Sequence, residues 1–103
     1  MQPIRLLPKV HLFVCANRRE EGSPLGPGCA ADGDAVYDAL KDEVARRGAV
    51  RSVWVTKTHC LGICPKTGAT VAAYPAARIW AGAMVSDVLT LYRESGGETA
   101  GTP

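Results

Sequence analysis

Hydrophobic and polar positions along the chain fall into six patterned stretches. Lys9-Val10-His11-Leu12-Phe13-Val14-Cys15 is dense in branched and apolar residues, and it reads as a buried strand ending at Cys15. Val36, Tyr37, Leu40 and Val44 recur at i, i+4 and i+8, which places them on one face of a helix. Asp32 and Asp34 near its start and Arg46-Arg47 at its end suit the helix dipole, and Gly48 supplies a stop. The pattern predicts a helix over residues 30–47. Val50 to Thr56, with Val53-Trp54-Val55 at its centre, reads as a second strand. Ala69 to Tyr74 and Arg78 to Ala81 read as two short strands joined by a tight turn at Pro75-Ala76-Ala77. Ser86-Asp87 opens a last helix that turns Val88, Leu89 and Tyr92 inward and ends at Gly96-Gly97.

The intervening stretches read as loops. Residues 16–28 hold Gly22, Pro24, Gly26, Pro27 and Gly28. Residues 57–68 start with a possible helical turn and are turned out by Pro65 and Gly68. The order β-α-β-β-β-α predicts an α/β fold with a mixed central sheet and both helices packed on it. The first β-α-β unit should be a right-handed parallel crossover, and the later strands an antiparallel hairpin. Residues 1–8 are expected to form an arm, 9–95 one domain and 96–103 a disordered tail.

At 103 residues the chain buries a core without needing metal or disulfides merely to fold. Its net charge of +2 lacks the basic stripe of a nucleic-acid binder. No stretch has the apolar length of a membrane helix, and the N-terminal residues lack a signal peptide's apolar segment. A cytoplasmic location is expected, where thiols stay reduced and four cysteines point to metal or redox chemistry.

Those cysteines are Cys15, Cys29, Cys60 and Cys64, with thirteen, thirty and three residues between successive members. Cys15 ends the first strand, and Cys60 and Cys64 follow the second. If the two strands are parallel, these three thiols leave one edge of the sheet. Cys29, at the start of the crossover helix, begins from the same edge, where orphan amides favour a thiolate. Gly28 and Gly62 let backbone approach a cluster closely, and Lys57, Lys66, Arg18 and Arg19 offer balancing charge. A zinc module usually shows two tight Cys-x2–4-Cys knuckles, and only Cys60/Cys64 is tight here. A thioredoxin-type dithiol usually shows Cys-x-x-Cys. The spacing favours a four-thiolate iron–sulfur site and leaves a zinc-stabilised binding module and a thiol–disulfide oxidoreductase as alternatives.

Leu12-Phe13-Val14-Cys15, Gly28-Cys29, Cys60-Leu61-Gly62-Ile63-Cys64, Val71-Ala72-Ala73-Tyr74-Pro75 and Ile79-Trp80 together resemble the thioredoxin-like 2Fe–2S ferredoxins. This Shethna-type family is related to the small 2Fe–2S subunit of NADH dehydrogenase. The resemblance spans about residues 9–95. It implies a thioredoxin-like fold, one 2Fe–2S cluster per chain on Cys15, Cys29, Cys60 and Cys64, and one-electron transfer between redox partner proteins. It further implies a homodimer, with no catalytic residues of an enzyme's kind. Two positions depart from the family pattern: His59 stands where a glycine often precedes the third cysteine, and Ala76-Ala77 replaces a turn that commonly contains glycine. His59 is read as a surface or cluster-adjacent histidine able to tune the site, not a ligand. His11 is read as a satisfied structural histidine, and Trp54 and Trp80 as core or dimer-interface residues.

Overall fold

Val10, Leu12 and Val14 alternate with His11 and Phe13, and the strand they build, β1 (Val10–Cys15), lies inside a four-stranded mixed sheet of order β2-β1-β3-β4. The computed structural model describes residues 1–17, 22, 30–63, 65 and 67–100. β2 (Val53–Thr58) runs parallel to β1, pairing Val10 with Val53 and Cys15 with Thr58. The crossover between them contains α1 (Ala30–Arg46). β3 (Ala69–Tyr74) pairs antiparallel with both β1 and β4 (Arg78–Ala83). A 3-10 turn at Val85–Asp87 leads into α2 (Val88–Glu94), and α3 (Gly97–Ala100) follows.

The helices share one face of the sheet. Val10, Leu12 and Val14 meet Val53 and Val55, Val71 and Ala73, the α1 stripe Val36, Leu40 and Val44, and Val88, Leu91 and Tyr92 of α2 in a single core. Each fully buried aliphatic side chain stabilises by about 1.5–3 kcal/mol before entropy is counted. The opposite face carries an aromatic row. His11 stacks on Phe13 with centroids 4.0 Å apart, Trp54 meets His11 edge-on at 5.7 Å, and Tyr74 meets Phe13 edge-on at 6.1 Å. His11 Nε2 lies 2.7 Å from Thr56 Oγ1, and burial holds its pKa below the usual histidine value. Tyr74 and Ile79 on this face remain half exposed. The molecule is 20 Å across its short axis, the thickness of one helix layer on one sheet layer.

Several boundaries differ from the sequence reading. β2 starts at Val53 because the Ser52 carbonyl is taken by the Lys9 and Val10 amides, at 2.8 and 3.1 Å, while Ala49 O receives the Ser52 and Val53 amides. The helical turn expected from Lys57 is absent: Lys57 and Thr58 complete the ladder opposite Val14 and Cys15. β4 reaches Ala83. Leu89 is 48% exposed and Leu91 only 2%. At 100° per residue the buried stripe of Val88 and Tyr92 includes positions 91 and 95 and leaves 89 outside. Within the segment expected to be a disordered tail, residues 97–100 form a helical turn, and Glu98 lies 3.8 Å from Arg47 and 3.6 Å from Arg93.

Candidate metal centre

Cys15 closes β1 and is fully buried. The ladder runs one bond past it, since the Ala16 amide donates to the Thr58 carbonyl at 2.9 Å. β2 then opens into an exposed loop holding His59 and Cys60. The Cys15 thiol is aimed at that loop and donates to the His59 carbonyl at 3.6 Å. Parallel pairing therefore directs the first cysteine toward the segment that carries the third, as the sequence argument required. Cys60 is exposed, and its sulfur accepts the Gly62 amide at 3.3 Å. Gly62 has φ +91, a backbone region that disfavours any side chain. An amide aimed at sulfur is the kind of donor that surrounds metal-bound thiolates.

Cys29 and Cys64 lie outside the described residues, as do Gly28, Lys66, Arg18, Arg19 and most of the first loop. Their described neighbours are nonetheless tied to this end of the sheet. α1 begins at Ala30, the residue after Cys29. Gly33, in its first turn, sits directly on the end of β1, where an added β-carbon would stand 2.1 Å from the Cys15 carbonyl oxygen. Asp32 Oδ2 accepts the Gly68 amide at 2.9 Å, which joins the start of α1 to the loop after Cys64. The Thr70 hydroxyl of β3 donates to the carbonyl of Ile63, the residue before Cys64, at 2.6 Å. Lys57 Nζ lies 3.0 Å from Asp34, and this carboxylate raises the lysine pKa. Lys57 is thus engaged with α1 instead of being free to balance charge at the thiols.

Among the described residues no group of three or more histidine, cysteine, aspartate or glutamate side chains forms a metal-sized cluster. The described donors still fit an iron–sulfur group. Two soft sulfurs belong to one sheet end, one of them already receives an amide, and a buried hydroxyl nearby, Thr58 Oγ1, has no partner. Sequence reasoning missed the struts. In the sequence Asp32 signals only charge at a helix start, whereas its side chain bonds across to Gly68. Gly33 carried a usable signal: glycine costs a helix about 0.8–1.0 kcal/mol relative to alanine, so its presence in the first turn points to a close approach.

No family model matches the chain. A 2Fe–2S ferredoxin of Clostridium pasteurianum is 31% identical over 80 residues, 78% of this chain and 76% of that protein. Among solved structures, the wild-type thioredoxin-like [2Fe-2S] ferredoxin of Aquifex aeolicus superposes with a TM-score of 0.75 at 24% identity, covering 89% of this chain and 90% of that one. A cysteine-to-serine variant of the same protein gives 0.73 at 24% identity, covering 85% and 89%. These likenesses confirm a thioredoxin-like α/β fold.

Proposed function

The chain belongs to the 2Fe–2S ferredoxins, and we propose that it carries single electrons between partner proteins on one 2Fe–2S cluster held by Cys15, Cys29, Cys60 and Cys64. The observation that carries this reading is the direction of the buried Cys15 thiol, toward the loop where Cys60 already accepts an amide. When bound, such a cluster supplies a centre that gains and loses one electron with little rearrangement. The protein's part is to position and insulate. Cys15 is buried at the end of β1, which keeps water from that side. Cys60 is exposed, which brings the other side to the surface where a partner can approach. The Gly62 amide offsets negative charge on sulfur. The relatives favour this carrier over the zinc module and the thiol–disulfide oxidoreductase. We read it as a protein without substrate chemistry of its own, working in the cytoplasm. No helix of the described residues is long and apolar enough to cross a membrane. Anaerobic titration with a one-electron reductant should bleach the visible spectrum after close to one electron per chain and produce an EPR signal. Uptake of two electrons without a paramagnetic product would favour a dithiol instead.

A second copy of the chain is the proposed occupant of the open aromatic face. Four six-residue strands present roughly 350–400 Å², short of the roughly 800 Å² per partner of a stable interface. The arm at residues 1–8 exposes Ile4, Leu6 and Leu7, and it supplies further apolar surface of the kind needed. Sedimentation is expected to give a dimer, and Phe13→Glu a monomer. A wild-type monomer at high concentration would contradict this assembly.

A further inference from the structure

We propose that the Thr58 hydroxyl is a hydrogen-bond donor to the sulfur of the Cys15 site and raises the reduction potential of the centre, an inference that rests on the cluster reading above. Thr58 Oγ1 is buried and lacks a partner, a condition that folded proteins permit for only a few groups. Its own backbone is engaged, with the carbonyl holding the Ala16 amide at 2.9 Å. The hydroxyl is what remains unused. The other threonine on the same side of β2 shows the contrast: Thr56 spends its hydroxyl on His11 at 2.7 Å. Thr58 is paired in register with Cys15. Adjacent strands lie about 4.8 Å apart, and paired residues project from the same face. The unpartnered hydroxyl therefore stands on the strand position beside the buried Cys15.

The state of Cys15 decides what that neighbour is for. As a thiol, Cys15 donates, and it reaches the His59 carbonyl over a long 3.6 Å. As a thiolate ligand it has no proton and only accepts, so it loses the His59 contact and gains a demand for a donor. Thr58, paired in register with Cys15 and with its hydroxyl unspent, is the neighbour placed to meet that demand. The other buried unpartnered hydroxyl, Tyr92 Oη, belongs to α2 and packs under the Arg47 guanidinium at 4.4 Å from its ring, so it serves no such role. A donor on sulfur favours the more negative, reduced state. Its removal lowers the potential.

The test compares wild-type holoprotein with Thr58→Val, which keeps the shape and removes the donor, and Thr58→Ser, which keeps the donor. Potentials are read by spectroelectrochemistry. Thr58→Val is expected to shift the reduced-to-oxidised ratio about tenfold toward oxidised, which is about 59 mV for a one-electron couple. Thr58→Ser should stay at the wild-type potential. An unchanged potential in Thr58→Val, or equal shifts in both variants, overturns the proposal while leaving the cluster assignment intact. Wild-type protein that binds no cluster overturns both.

Discussion

Replacing Cys15 with alanine is expected to yield folded but colourless protein. Cys15 is fully buried at the end of β1 and belongs to the core. Removing one sulfur there leaves a small cavity, costing about 1–2 kcal/mol, against a typical domain stability of about 5–15 kcal/mol. The fold therefore survives. The site loses one of four thiolates, and a four-thiolate cluster has no spare ligand to make up for it. Circular dichroism should keep its native shape while iron content falls to a small fraction of the wild-type value. Retention of the full visible spectrum in Cys15→Ala would remove this residue from the ligand set.

Gly33→Ala is expected to destabilise the protein although alanine is the better helix former. Propensity favours the change by about 0.8–1.0 kcal/mol. Against it, the new β-carbon would stand 2.1 Å from the Cys15 carbonyl oxygen and 3.0 Å from its carbonyl carbon. Both are backbone atoms of a central strand and have no rotamer by which to yield. Overpacking of a core costs typically 1–3 kcal/mol, and a contact with fixed backbone belongs at the upper end, so the clash wins. The start of α1 must move away from the end of β1, taking Asp32 and its bond to Gly68 with it. A net loss of about 1–2 kcal/mol in denaturant unfolding is expected, with faster loss of colour on storage. A more stable variant would show that α1 does not press on β1 as described.

Much of this architecture is legible in the sequence because its signals are local. The β1 alternation, the α1 stripe at 36, 40 and 44, and the hairpin of β3 and β4 are set by side-chain periodicity and turn residues, and the structure follows them. The boundaries that moved depend on partners far along the chain. Val50 looks like strand, yet it is 59% exposed, because Ser52 is the residue that meets Lys9 and Val10 across the sheet. Leu89 and Leu91 are chemically alike, and only the phase of α2 against the core decides which is buried. The candidate site divides in the same way. Chain order and parallel pairing suffice to direct Cys15 toward the Cys60 loop. The struts from Asp32 to Gly68 and from Thr70 to Ile63 join residues 36 and 7 positions apart, and the spare hydroxyl of Thr58 is visible only once its neighbours are placed. None of these leaves a periodic trace.

The central claim is that this protein's four cysteines hold a 2Fe–2S cluster, and its most direct test is the iron, acid-labile sulfide and zinc content of anaerobically purified wild-type protein. The account predicts close to two iron and two sulfide per chain, with negligible zinc. Stoichiometric zinc without sulfide in colourless protein would contradict it.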